Sequence, residues 1–170
     1  IANGLTGGNS YLLGISVDEA LEAAYTFDVL AIVPPMNNAC VNAIDITADA
    51  AAGAVSSNNC AGADANICSL SGMTSHVTWY EYTVVAANNT DIVINVNGSG
   101  IDAALNGAFN VFVDCGYLQF DNSVDACASG FDVDTRYECV ESGSTILIAI
   151  GSADGDEGEF TITITEENEG

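Results

Sequence analysis

From Cys40 onward, apolar side chains recur at every second position in short segments rich in Val, Ile, Thr and aromatic residues. That is the period of strands that bury one face. Ile44, Ile46 and Ala48 share one face of a first short strand, and Thr78, Tyr80, Tyr82 and Val84 share a face of the next, with Trp79 opposite. Ile92, Ile94 and Val96 repeat the pattern, then Phe109, Val111 and Val113, and the last strand sets Phe160, Ile162 and Ile164 against Thr161, Thr163 and Thr165. The run from Ile146 to Ile150 is apolar on both faces, as suits a central strand covered on each side or one whose second face a partner buries. Turn residues such as Asn97-Gly98-Ser99-Gly100 and Glu141-Ser142-Gly143-Ser144 separate these segments. The pattern predicts an all-β fold, an antiparallel β-sandwich of jelly-roll-like type. The one stretch of helical character runs from Val17 to Ala24, with Asp18 and Glu19 near its start, where the helix dipole favours negative charge. Residues 48–75 are rich in Ala, Asn and Ser and predict a long loop held by covalent ties, which Cys60 and Cys68 are placed to supply.

Composition narrows the function classes. The 170 residues allow one ordinary domain plus an arm, and 49% hydrophobic content is enough to bury a core despite a formal net charge of -23. Asp and Glu number 24 against a single basic side chain, Arg136, so the surrounding field is negative nearly everywhere. Nucleic acid and anionic membranes are poor partners, since both need Lys and Arg to neutralise phosphates. No apolar run approaches the ~20 residues of a membrane span. Six cysteines, Cys40, Cys60, Cys68, Cys115, Cys127 and Cys139, are an even number suited to pairing in an oxidising, extracytoplasmic compartment. Locality predicts one bridge among the first three and one among the last three, and full pairing then requires a third between the groups. No charged-then-apolar leader is present, so any secretion signal has been removed or lies outside this segment. The sequons at Asn88 and Asn97 are compatible with export and with a glycan.

Asn38-Ala39-Cys40-Val41-Asn42-Ala43-Ile44, Trp79-Tyr80-Glu81-Tyr82-Thr83, Asp102-Ala103-Ala104-Leu105, Cys115-Gly116-Tyr117-Leu118 and the two final strands follow one another in an order with a family likeness. Over about residues 37–165 the chain resembles the pre-peptidase C-terminal-like (PPC-like) β-sandwich repeats of secreted and surface bacterial proteins. The resemblance implies a sandwich that serves as an adhesion, secretion or spacer module. The chain departs from it in lacking lysine, in its acidic excess and in its N-terminal extension.

The domain reading is therefore an arm at 1–36, holding the short helix and a Pro-Pro linker, followed by a sandwich at 37–170. In tandem arrays of such repeats a last strand runs through a Pro-Pro linker into the next repeat. Here Tyr25, Phe27, Val29, Ala31 and Val33 alternate just before Pro34-Pro35. Upstream, Leu5, Tyr11, Leu13, Ile15 and Val17 fall on one face of a period-two pattern. An apolar extended segment cannot satisfy its own backbone groups, so it pairs with a sheet edge of its own sandwich or adds to a neighbouring copy. The second outcome makes the protein a subunit of an extracellular filament or surface assembly, a homopolymer. Ile146, Ile148 and Ile150, or Phe160, Ile162 and Ile164, are then the expected acceptor edge. The alternative is a monomeric adhesion or carbohydrate-binding module, with Trp79 or exposed tyrosines as a stacking platform.

Catalytic chemistry is poorly served. His76 is the single histidine, and no Gly-x-Ser-x-Gly elbow, His-Glu-x-x-His pair or phosphate-cradling loop accompanies it. The expectation is no enzyme and no cofactor, with Ca²⁺ as the one candidate ion. Asp154, Asp156, Glu157 and Glu159 cluster hard oxygen ligands on a Gly-containing turn, without EF-hand spacing. Asp121, Asp125, Asp132 and Asp134 form a second acidic stretch that reads as a solvated face.

Overall fold

The computed structural model describes residues 33–64, 75–98, 107–120, 131–152 and 157–167. The chain divides into two units, Ile1–Ala31 and Ile32–Gly170, and every described residue belongs to the second. Eight strands follow a 3₁₀ turn at Cys40–Asn42: β1 (Ile44–Asp45), β2 (Ala54–Ser57), β3 (Ser75–Thr83), β4 (Thr90–Asn97), β5 (Gly107–Phe112), β6 (Thr135–Val140), β7 (Thr145–Ser152) and β8 (Glu159–Glu167). Odd-numbered strands form one sheet in the order β1-β3-β7-β5, and even-numbered strands form the other in the order β2-β8-β4-β6. Each successive strand therefore changes sheet. The fold is an all-β sandwich, antiparallel except where β1 runs parallel to β3 with Ile44 opposite Tyr80.

The main core lies between the sheets. Tyr80, Tyr82, Phe109, Val111, Ile146, Ile148 and Ile150 of the odd sheet face Ile92, Ile94, Val96, Tyr137, Phe160, Ile162 and Ile164 of the even sheet. Period-two alternation in β4 and β8 delivers these side chains inward and leaves Val93, Asn95, Thr161 and Thr163 on the other face. The odd sheet also buries its second face. Val77, Trp79, Ala108, Phe112 and Ala149 form a separate apolar cluster there, covered by Cys40, Ala43 and Tyr117. The Cys40–Cys115 disulfide joins the two covering segments. Asn37 anchors the entry to this cover: its side-chain amide donates to the Trp79 carbonyl at 3.0 Å, and its own carbonyl accepts from the Trp79 amide at 2.8 Å.

Three local expectations are corrected. Val113 is exposed, because β5 ends at Phe112 and the chain turns back through Leu118, whose carbonyl accepts from the Val113 amide. Ile44 is exposed and Ala48 lies in a turn, so Ile44, Ile46 and Ala48 do not share a strand face. The supposed loop 48–75 contains β2, whose sequence Ala-Val-Ser-Ser is too short and polar to announce a strand. The predicted helix at 17–24 lies outside the described residues.

Arg136 completes the even sheet's outer face. Its guanidinium donates to Asp91 Oδ2 at 2.7 Å and to Glu167, while Asp91 Oδ1 accepts the Cys139 amide at 3.0 Å. These acids hold the guanidinium pKa above its ordinary value, Glu167 foremost.

A second anchor lies at the β3–β4 turn, where the Tyr82 hydroxyl donates to Glu166 Oε1 at 2.8 Å and the Val85 amide donates to the same oxygen. Burial first, and then the hydrogen bond and charge of Glu166, push the phenol pKa well above its usual value near 10. A raised folded pKa stabilises the protein below the unfolded value, and this contribution is lost as pH rises beyond about 10. Thermal melting followed from pH 9 upward is expected to show an alkaline fall that Tyr82→Phe flattens; an identical fall in the variant would assign it to other groups.

Candidate functional site: the open edge of the sandwich

The expected acceptor strands are not edges. β7, which carries Ile146, Ile148 and Ile150, lies between β3 and β5, and β8, which carries Phe160, Ile162 and Ile164, lies between β2 and β4. All six side chains are at most 1% exposed. Two-sided apolarity in β7 marks a central strand whose faces contribute to two clusters, and both flanks of each strand are already hydrogen-bonded. The edge strands among the described residues are β1 and β5 in one sheet and β2 and β6 in the other.

β1 and β2 stand on the same side of the molecule and flank a groove of about 270 Å³ lined by Ile44, Asp45, Ile46, Asp49, Ala54, Val55, Ser56 and Tyr80, among others. Its making is local. Gly53 adopts a φ of +96°, which lets the chain turn onto the sheet, and a Cβ there would lie 2.8 Å from Thr161 Cγ2. Beyond β2, the Asn58 amide donates to the Gly158 carbonyl at 3.3 Å and its side-chain Oδ1 accepts from the Gly158 amide at 2.8 Å. Backbone groups alternate sides along a strand. With Asn58 bonded on the β8 side, those of Ser56 and Ala54 also point to β8, and those of Val55 and Ser57 point outward. The Val55 side chain is 72% exposed and Ile44 is 43% exposed, so apolar surface accompanies the open backbone.

Tyr80 closes the groove from within. Its Oη lies 2.7 Å from Ser56 Oγ and 3.2 Å from Thr78 Oγ1, linking the two sheets. Charge at the mouth comes from Asp45 and Asp49. The Thr47 hydroxyl, and its amide at 2.9 Å from Oδ1, hold the Asp45 carboxyl below the ordinary carboxylate range, so it is ionised at neutral pH.

The other predicted positions divide clearly. Of the arm, Leu5, Tyr11, Leu13, Ile15, Val17, Tyr25, Phe27, Val29 and Ala31 lie outside the described residues, and Val33 is 81% exposed. Cys40 and Cys115 form a bridge between the two halves of the cysteine set. Cys60 is a free thiol, contrary to its expected role as a loop tie, and Cys68 and Cys127 lie outside the described residues. Cys139 is exposed beside the Asp91 network. Asp154 and Asp156 lie outside the described residues, whereas Glu157 has protein partners: its Oε1 is 2.9 Å from His76 Nε2 and accepts the Cys60 amide at 2.9 Å. Glu159 is exposed opposite Ser57. No cluster of three metal-ligating side chains occurs among the described residues. Asn88 and Asn97 are both exposed, at the β3–β4 turn and at the end of β4. Trp79 is fully buried, which removes it as a stacking platform.

No protein-family model matches the chain, and no curated protein matches it by sequence. Among solved structures, the chain is similar to a periplasmic lysozyme inhibitor of g-type lysozyme, PliG from Aeromonas hydrophila, with 15% identity and a TM-score of 0.39 over 74% of this chain and 96% of that one. No helix among the described residues is long and apolar enough to cross a membrane.

Proposed function

We infer that the protein is a non-enzymatic structural subunit of an extracellular filament or surface assembly, joined to the next copy by strand addition of its N-terminal arm. The observation that carries this reading is that both sheets of the sandwich end in edge strands, β1 and β5 in one and β2 and β6 in the other among the described residues, to which an extended segment can add. The arm's alternating apolar residues suit an extended strand, and extended backbone needs an edge to pair with. The exit supports the same reading. Val33, Pro34 and Met36 are exposed, and two consecutive prolines keep the chain extended as it leaves. The disulfide fits an oxidising compartment, and the resemblance to PPC-like modules of secreted and surface proteins agrees with it. The copies repel one another at long range with a net charge of -23, so association is expected to strengthen as salt screens them.

Negative-stain electron microscopy of the full chain beside a form lacking residues 1–35 tests the reading. Fibres from the full chain and single particles from the truncated form are expected. Single particles from both would remove the filament and favour a monomeric surface module.

A further inference from the structure

We propose that the acceptor for the arm is the β1/β2 edge groove, and that its occupant is the segment Tyr11–Val17 of a second copy, added as a strand beside β2. The inference rests on the assembly reading above and names the surface and the segment that meet. Three observations converge on it. β2 is an edge strand whose outward backbone groups, those of Val55 and Ser57, have no strand partner among the described residues. Exposed edges are protected by shortness, a charge, a proline or a cover, and of these β2, Ala-Val-Ser-Ser, has shortness but neither charge nor proline, with Val55 72% exposed. The groove beside it is large enough to take apolar side chains from an added strand, with Ile44 at its rim and Tyr80 in its lining.

Charge selects the segment. The groove mouth holds Asp45 and Asp49, and the whole body is strongly acidic, so any acidic strand approaching it is repelled. Residues 1–17 contain no Asp, Glu, Lys or Arg, and the first charged side chain is Asp18. Within that uncharged stretch, Tyr11, Leu13, Ile15 and Val17 give the cleanest alternation, so one face can enter the groove while Leu12, Gly14 and Ser16 face away. Tyr25 to Val33 is the weaker candidate, since it carries Asp28 and runs directly into the linker of its own sandwich. Reach favours a neighbour as readily as the same chain: the residues between Val17 and Val33 span up to ~50 Å when extended, at about 3.3 Å each. The Pro34-Pro35 pair, with Pro34 exposed, opposes the immediate reversal that a short fold-back requires.

Val55→Pro in the full chain is the direct test. The Val55 amide points away from β8, so proline removes the outward donor without touching the internal ladder. At least a tenfold loss of polymer by sedimentation is expected, with thermal melting of the sandwich kept close to that of the parent chain. Should Val55→Pro fail to fold, Val55→Glu blocks the same edge by charge. Paired cysteines then identify the occupant: Ser16→Cys chains mixed with Val55→Cys chains, whose side chains share the outer face, are expected to form disulfide-linked dimers under oxidation. Undiminished fibres from a folded Val55 variant, alongside loss of fibres on removing residues 1–35, would overturn the β1/β2 acceptor and leave the assembly reading standing. A full chain that is monomeric at every salt concentration would overturn both. A bridge formed only within a chain carrying both cysteines, and never between chains, would place the arm on its own sandwich and overturn the proposal.

Discussion

Trp79→Ala is expected to destabilise the sandwich by about 3–5 kcal/mol, the range for removing a fully buried tryptophan. The indole is 0% exposed and packs at 5.5 Å from the Phe112 ring and 6.0 Å from Tyr117. Its cluster is small, so few neighbours can move into the void. Domains of this length melt roughly 2–4 °C lower per kcal/mol lost, so a fall of about 6–20 °C should appear by calorimetry. Trp79→Phe should cost clearly less. It also leaves a void, but the buried indole Nε1 has no hydrogen-bond partner among the described residues, and phenylalanine removes that donor. Leu118→Ala serves as a contrast, since Leu118 is 58% exposed and a change there should stay within about 0.5 kcal/mol. A Trp79→Ala protein that melts with the parent would mean that the second face of the odd sheet contributes nothing to stability.

That second face was half legible in the sequence. Alternation placed Tyr80 and Tyr82 on one face of β3 and Trp79 on the other, and the structure keeps this assignment with Trp79 in its own cluster. Periodicity cannot tell what lies across from a strand's outer face, because the cover comes from the remote segments around Cys40 and Cys115, whose meeting is a tertiary event. The same limit misplaced the acceptor edge. Ile146 to Ile150 announces burial on both sides, and only the strand order shows that β3 and β5 supply it. β6 escaped notice for a different reason. Thr135 and Tyr137 point inward, but the register shifts opposite Thr90 and Ile92, Cys139 adopts a φ of +54°, and Val140 returns to the core out of phase. β2 carries too little apolar sequence to be seen as a strand, although Gly53 before it and Asn58-Asn59 after it punctuate the segment as strand ends do. The open edge was therefore hidden for the reason that makes it a candidate site. Its residues bury little within their own domain.

Removing the Cys40–Cys115 bridge, as Cys40→Ser with Cys115→Ser, is expected to cost about 4 kcal/mol in the chain-entropy account of a cross-link closing so long a loop. The two cysteines are 75 positions apart, and the loop between them includes β1 to β5, so the unfolded chain regains much freedom when the link is lost. The folded state also loosens at a defined place. The 3₁₀ turn at Cys40–Asn42 has no buried residue and no side-chain cap, so little besides the disulfide and the Asn37 anchor holds it over Trp79. Urea unfolding with and without reductant measures the effect, and the reduced protein should lose most of the same increment. Coupling separates entropy from cover. If the bridge acts only on the unfolded chain, its loss adds to that of Trp79→Ala. If it also seats the cover, the two losses overlap, and the triple variant falls short of the sum by more than about 0.5 kcal/mol. The direct packing of Cys40 on the Trp79 cluster favours the overlapping result. Equal urea midpoints in both redox states would show that neither effect operates, and that the covering segments hold their place by packing and backbone hydrogen bonds alone.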